Sequence, residues 1–217
     1  MHLAGALCAS YADRLSALGD GGVSGEPAGT CTTHVSVVDE EGTVISLTTT
    51  LLGTMGSRLV LPGTGILMNN GAMWFDPRPG NANSVAGGKR PLTNMLPVIF
   101  VGADGNRMLA AGASGGRRIL ASVYQMLSHV LDFGMDLDAA AHHPRIDVSG
   151  PERVAADLRL DEGILERLAH RYAGQFQAVE HGPVPLNFAC PNAILHEAGA
   201  CSGVSDTMTP WSCALAQ

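Results

Sequence analysis

Residues 31–39 read Cys31-Thr32-Thr33-His34-Val35-Ser36-Val37-Val38-Asp39. A pair of threonines leads directly into a run rich in β-branched residues, which are stiff at χ1 and suit a pleated strand. Downstream, residues 43–50 (TVISLTTT) have the same chemistry. The DEEG between the two runs supplies turn residues, so 33–38 and 43–50 predict a β-hairpin. Upstream, Gly19 to Thr30 (GDGGVSGEPAGT) is dense in Gly, Ser and Pro and predicts a linker. Beyond it, residues 4–18 carry Leu7, Tyr11, Leu15 and Leu18 at steps of three and four, the spacing of a short helix.

Further along the chain come short apolar runs at 58–61, 65–68 and 96–101, with a long Gly-, Pro- and Asn-rich loop over 76–93. Residues 107–112 (RMLAAG) predict a strand, which Ser114-Gly115-Gly116 breaks. Arg117 to Leu131 then places Ile119, Val123, Met126, Leu127, Val130 and Leu131 on one helical face. Asp136 opens a helical stretch through Ala141, bounded by Pro144, and Glu162 to Ala173 predicts another helix. Residues 176–180 and 193–196 are weaker strands. Strands, then helices, then strands indicate an α+β fold or a layered sheet with helices outside.

With 217 residues, the chain suits one domain of ordinary size or a domain with an appendage. Charged residues make up only 15%, against about 25% in an average soluble domain. With a mean hydropathy of +0.15, this points to much buried surface or a face meant for a partner chain. A net charge of −7 and a pI near 5.5 argue against nucleic-acid binding. No apolar run reaches the roughly 18 residues of a membrane span. The first twenty residues lack the basic end and apolar block of a signal peptide, which leaves the compartment, cytoplasmic or periplasmic, open. Five cysteines without CxxC spacing predict free thiols, neither a zinc cluster nor a disulfide framework. GxGxxG before a helix, P-loop, HExxH and GxSxG patterns are missing, and the adjacent His142 and His143 diverge on any regular element. No metal or cofactor is expected.

Three segments gain meaning from their order: Thr32 to Asp39, Lys89 to Pro97 (KRPLTNMLP) and Gly112 to Ile119 (GASGGRRI). Together with Gly65 to Asn70 (GILMNN), His143 to Ile146 (HPRI) and Gly203 to Asp206 (GVSD), they resemble the small catalytic chain of the γ-glutamyltranspeptidases, N-terminal-nucleophile hydrolases. The resemblance runs from about residue 32 to the end and extends to the helix before it. It implies an αββα sandwich, incomplete here because only 31 residues precede Thr32 where the family has a long large-chain region. On this reading residues 1–31 are the tail of that region with the processing linker, and 32–217 are the catalytic small chain. A large-chain partner is then expected.

The resemblance also assigns roles. Thr32 is the nucleophile, freed when the chain is cut before it. The chemistry is consistent: a threonine hydroxyl needs a base, and a new α-amine with a pKa of about 8 sits on the same residue. Thr50 matches a second threonine that orients the first. Gly115 and Gly116 match the glycine pair of the oxyanion hole, where backbone N–H groups hold the tetrahedral intermediate. Thr93 and Asn94 match a serine pair that holds the substrate's α-carboxylate. The implied substrate is a glutathione-like γ-glutamyl amide, its acyl group passing to water or an amine.

Three positions depart from the family pattern. Leu52 stands for an asparagine, Gly71 for a glutamine, and Trp74 for an aspartate that binds the substrate's α-ammonium. The alternatives are therefore a related amide hydrolase, of the cephalosporin or glutaryl acylase or oxamate amidohydrolase type, or a non-catalytic fragment. Asp76, in the loop, is one acid that could replace the lost charge.

Overall fold

The structure, a computed structural model, describes residues 2–17, 30–150, 153–183, 187–206, 208–210 and 212–216. The expected linker, except Thr30, lies outside these. The first helix, α1, spans His2–Ala17. The expected hairpin forms from β1 (Thr30–Val38) and β2 (Val44–Gly53), paired antiparallel. Asp39 closes its turn: Oδ1 accepts the N–H groups of Glu41 and Thr43.

The apolar runs at 58–61 and 65–68 form no strands. They are joined by a single bridge between Val60 and Leu67, and a 3-10 turn over Gly71–Trp74 follows. The long loop is pinned by side chains. Asn83 donates to Trp74 O and accepts from Leu92 N, while Asp76 accepts from Arg78 and from Asn81 Nδ2.

The main sheet has the order β3 (Val98–Val101), β4 (Arg107–Ser114), β8 (Cys190–Glu197), β9 (Ala200–Ser205), all antiparallel. On one face lie α2 (Ile119–Leu131) and α3 (Leu137–His142). Met126, Val130, Leu137, Ala140 and Ala141 of these helices pack on Leu109, Ala111, Ala193 and Val204 of the strands. Asp136 caps α3 by accepting from Ala139 N. The β1–β2 hairpin covers the other face.

A second sheet, of which the sequence indicates only the strand at 176–180, joins β5 (Ile146–Gly150), β6 (Arg153–Asp157) and β7 (Phe176–Val179). The β6–β7 pair is parallel, linked by α4 (Glu162–Arg171). Here Ala4, Leu7 and Tyr11 of α1 share a core with Ile146, Val148, Val154, Ala156 and Leu168. Gln125 ties the two halves, its amide accepting from Ile146 N and donating to Ile146 O.

The HPRI and GVSD segments meet in a buried ion pair, Arg145 Nη2 to Asp206 Oδ2 at 2.8 Å. Arg145 also donates to the carbonyls of Ala141 and Ala189. His181 stands between Asp206 and Asp157, 3.5 and 3.7 Å away. Such a pair is costly to break, because removing one partner strands a buried charge.

The hairpin's two faces differ. Thr32, His34, Ser36 and Val38 of β1 and Val44, Ser46, Thr48 and Thr50 of β2 turn toward the main sheet. Val35, Val37, Ile45 and Leu47 point away and are 42–54% exposed. Among the described residues nothing covers that apolar face, and such patches associate. The isolated chain is therefore expected to self-associate as concentration rises. The double substitution Ile45→Glu, Leu47→Lys should shift it toward monomer in sedimentation velocity while changing its melting temperature by no more than a few degrees.

Candidate active site

The pairing of β1 with β2 slips at one point. Cys31 opposes Leu52 and Thr32 opposes Thr50, so Leu51 is the extra residue of a bulge. Leu52 sits at φ 68, a left-handed conformation that costs a non-glycine residue of order 1–3 kcal/mol. Asn70 holds the bulge: its Oδ1 accepts from Gly53 N and its own N–H donates to Leu51 O.

The bulge turns Leu52 N–H onto Thr50 Oγ1 at 2.8 Å. Thr50 donates its hydroxyl proton to the carbonyl oxygen of Cys31 at 2.9 Å. Thr32 Oγ1 lies 3.0 Å from Thr50 Oγ1. A hydroxyl has one proton to give. Thr50 gives it to Cys31, so Thr32 is the donor in the Thr32–Thr50 contact. Two of these bonds form a directed chain from the Thr32 hydroxyl, through Thr50, to the carbonyl of the bond before Thr32, and the third, from Leu52 N–H, fixes the orientation of Thr50.

Behind this chain the hairpin is fastened to the sheet by a buried polar seam. His34 Nδ1 is 2.8 Å from Thr48 Oγ1, and His34 Nε2 is 3.2 and 3.3 Å from Ser36 Oγ and Ser46 Oγ. Ser36 gives its proton to Asn192 Oδ1 and Ser46 gives its proton to Ala111 O. Nε2 therefore carries the ring proton and Nδ1 accepts from Thr48. Asn192 Nδ2 closes the seam on His34 O. The imidazole fills the space where a Cβ at Gly112 would stand, only 2.1–2.5 Å from ring atoms. Burial holds the His34 pKa down at about 4.

His34 lies at Gly112, while the hairpin turn at Gly42 lies near Met108, whose methyl a Cβ at Gly42 would meet at 3.7 Å. β1 and β4 therefore run in opposite directions. Thr32, two residues before His34, comes to the Ser114–Gly115 end of β4. There Gly115 (φ 141) and Gly116 (φ 62) are both buried and make a turn in which successive N–H groups can converge. A Cβ on Gly115 would meet Ala189 at 2.6 Å, so no other residue fits. Leu96 and Val98, next to Thr93 and Asn94, pack on Ala113, Ile119 and Ala189 around this turn.

Thr93 is exposed and Asn94 half-buried. Leu52 is buried, and Trp74 is half-buried with its indole Nε1 enclosed and without a hydrogen-bond partner among the described residues. Asp76 does not stand in for the missing acid. Its carboxylate is engaged by Arg78 Nε and Nη2 at 2.9 and 2.8 Å and by Asn81 at 2.7 Å. Hydrogen bonds from the Arg78 side chain hold its pKa well below the usual carboxylate range. Among the described residues no cluster of His, Cys, Asp and Glu has metal-binding geometry.

Sequence reading missed Ser36, Ser46, Thr48, Asn70 and Asn192. A signal for part of the set was present: polar residues recur at every second position over 32–36 and 46–50, an alternation unusual for a face turned inward.

This combination of an inward-facing threonine pair, a two-glycine turn and a hairpin stacked on a helix-backed sheet is that of an N-terminal-nucleophile hydrolase. The profile of the family described as Gamma-glutamyltranspeptidase matches residues 9–214. The chain is 34% identical over 176 residues to the glutathione hydrolase proenzyme of Bacillus subtilis (strain 168), covering 81% of this chain and 29% of that one. It is 38% identical over 152 residues to the acylase ACY 1 proenzyme of Pseudomonas sp. (strain V22), covering 70% and 26%. The structure of gamma-glutamyltranspeptidase from Pseudomonas nitroreducens complexed with L-DON superposes with a TM-score of 0.69 at 27% identity, covering 85% of this chain and 100% of that one. The chain belongs to the gamma-glutamyltranspeptidase family. It spans under a third of the length of these two curated relatives. Among the described residues no helix is long and apolar enough to cross a membrane.

The buried imidazole gives a pH prediction. The folded-state pKa of about 4 lies below the ordinary value of 6.5, so between these values the unfolded chain binds the extra proton. Stability from neutral His34 is full above pH 6.5 and is lost as pH falls toward 4. In urea unfolding, the parent should lose on the order of 2 kcal/mol more than His34→Gln between pH 7 and pH 4.5.

Proposed function

We propose that the chain is the catalytic part of an acyl-transfer enzyme whose nucleophile is Thr32, exposed by self-cleavage between Cys31 and Thr32. The directed chain Thr32 O–H to Thr50 to Cys31 O carries this reading. Thr32 Oγ1 attacks the Cys31 carbonyl carbon and its proton passes toward Thr50, while the Thr50 proton moves toward the oxygen that gains charge. Collapse breaks the C–N bond, and the nitrogen takes a proton to become the α-amine of Thr32. Water then hydrolyses the Cys31–Thr32 ester, leaving a carboxylate at Cys31 and a free hydroxyl on Thr32. The proenzyme names of the relatives support such processing. Residues 1–31 are then the tail of the large-chain region and 32–217 the catalytic chain.

In turnover the freed amine acts as base for the same hydroxyl. The acyl group passes to Thr32 and then to water or an amine, with the N–H groups of Gly115 and Gly116 receiving the oxyanion. Thr93 and Asn94 hold the far end of the acyl donor. A large chain, expected from the length of the relatives, covers the apolar face of Val35, Val37, Ile45 and Leu47. Glutathione-like γ-glutamyl amides are the donors implied by the family. A second donor class is favoured by the buried Leu52, by Gly71 and by Trp74, which together leave no carboxylate or amide for an α-ammonium. These are acyl groups without that charge, as in the acylase relatives.

Intact mass spectrometry tests the first step: a species beginning at Thr32 should accumulate, Thr32→Ala should stay uncut, and Thr50→Val should slow cutting by about 10²-fold, the scale of a lost donor at a developing oxyanion. Maturation of Thr32→Ala would overturn the nucleophile assignment. For the donor, kcat/KM for glutaryl-p-nitroanilide should exceed that for γ-glutamyl-p-nitroanilide. A clear preference for the γ-glutamyl compound would show that another group supplies the missing acid.

A further inference from the structure

Helix α1 precedes the Cys31–Thr32 bond in sequence, yet one of its side chains ends at the two-glycine turn. Tyr11 is 3% exposed, its ring set in the core that α1 shares with Ala121, Ile146 and Val148. Its hydroxyl donates to the carbonyl oxygen of Arg117 at 2.5 Å. Three residues on, Arg14 Nη2 donates to Thr93 O at 3.1 Å and to Asn94 Oδ1 at 2.8 Å, which fixes the helix at a second point.

The bond to Arg117 O is the first of a series. Arg117 C=O and Arg118 N–H belong to one peptide group, and Arg118 N–H donates to Gly115 O at 3.3 Å. Gly115 C=O and Gly116 N–H belong to another. A trans peptide points its C=O and N–H in opposite directions. Gly115 O faces into the turn, so Gly116 N–H faces out of it. The series runs from the Tyr11 hydroxyl through the Arg117–Arg118 peptide to the Gly115–Gly116 peptide. Its dipoles align head to tail, with the positive end at Gly116 N–H. Bonds in such a series polarise one another, by about 10–30% each.

The turn needs an outside hold. Gly115 at φ 141 and Gly116 at φ 62 carry no Cβ to restrict them. Ala189 blocks one side, 2.6 Å from where a Cβ of Gly115 would stand. The 3.3 Å bond from Arg118 to Gly115 is long for an N–H···O contact. The direction of Gly116 N–H therefore depends on where the Arg117–Arg118 peptide is held, and Tyr11 holds it.

We propose that Tyr11 is a positioning residue for the oxyanion site: through two peptide groups its hydroxyl aims and polarises the Gly116 N–H that receives the developing charge. The proposal rests on the reading of Gly115 and Gly116 as that site. In self-cleavage the charge develops instead on Cys31 O, where Thr50 donates. Tyr11 thus bears on turnover and not on cutting.

The test uses the full polypeptide that contains residues 1–217. Tyr11→Phe keeps the ring and removes the hydroxyl, while Leu7→Ala weakens the same core without touching the series. Cutting is followed by intact mass, and kcat is counted per chain beginning at Thr32, with the better used of the two p-nitroanilides. Tyr11→Phe should cut at the parent rate, within about twofold. Its kcat should fall about three- to tenfold with KM nearly unchanged, less than the roughly 10²–10³ of outright loss of an oxyanion donor. Butylboronic acid gives a binding readout. Thr32 Oγ adds to boron, its proton passes to the α-amine, and the tetrahedral adduct places an oxygen at the oxyanion position. Its inhibition constant should rise by the factor by which kcat falls. Leu7→Ala should lower Tm and leave both kcat and boronate inhibition within about twofold. Unchanged kcat in Tyr11→Phe, a loss carried by KM, an unchanged boronate constant, or an equal loss in Leu7→Ala would each overturn the proposal alone. Absence of Thr32-dependent turnover in the parent would overturn the acyl-transfer reading and this proposal with it.

Discussion

The His34 imidazole occupies the volume that any side chain at Gly112 would need, and this contact sets how closely the hairpin approaches the main sheet. Ring and glycine are mutually exclusive with larger alternatives: a methyl at 112 would overlap the ring by more than an ångström. The ring is also satisfied at both nitrogens: Nδ1 accepts from Thr48, and the Nε2 proton goes to Ser36 and Ser46, whose own protons go to Asn192 and to Ala111 O. Sterics fix the distance between the layers and the hydrogen bonds fix the register. Thr32, two residues from the ring, therefore cannot slide along the sheet without stranding buried polar groups, at a typical cost of about 1–3 kcal/mol each.

The threonine pair uses this rigidity. The hairpin could have paired without a bulge and without a left-handed Leu52. The strained form turns Leu52 N–H onto Thr50, which occupies an acceptor site on its oxygen and leaves its proton for Cys31. Local strain is thus exchanged for a defined proton direction. Asn70, from the segment after the hairpin, holds the strained residues in place through two hydrogen bonds to the backbone around Leu52.

The second sheet and α1 contribute indirectly. Gln125 and the Arg145–Asp206 pair bind that half of the molecule to the main sheet, and Tyr11 anchors α1 at the turn after Gly116. An element that reads in sequence as an appendage before a linker is a structural support for the Thr93–Asn94 segment.

The sequence by itself was sufficient for the hairpin, for α1, α2, α3 and α4, and for the order of motifs from Thr32 to Asp206, because periodicity, turn residues and short motifs are local properties of the chain. It did not reveal β5, β6 and β9. Their residues (IDVSG, RVAAD, ACSGVS) are short and rich in Ala, Gly, Ser and Asp, with little intrinsic strand preference, and they become strands through pairing with distant partners. The site divides in the same way. The two threonines, the glycine pair and the Thr93–Asn94 pair were legible as residues. The direction of the proton chain, the commitment of Asp76 to Arg78 and the reach of Arg14 to Asn94 across 80 positions were decided only by the tertiary structure. Each depends on which hydrogen-bond partners long-range packing brings within 3 Å, and no local pattern encodes that.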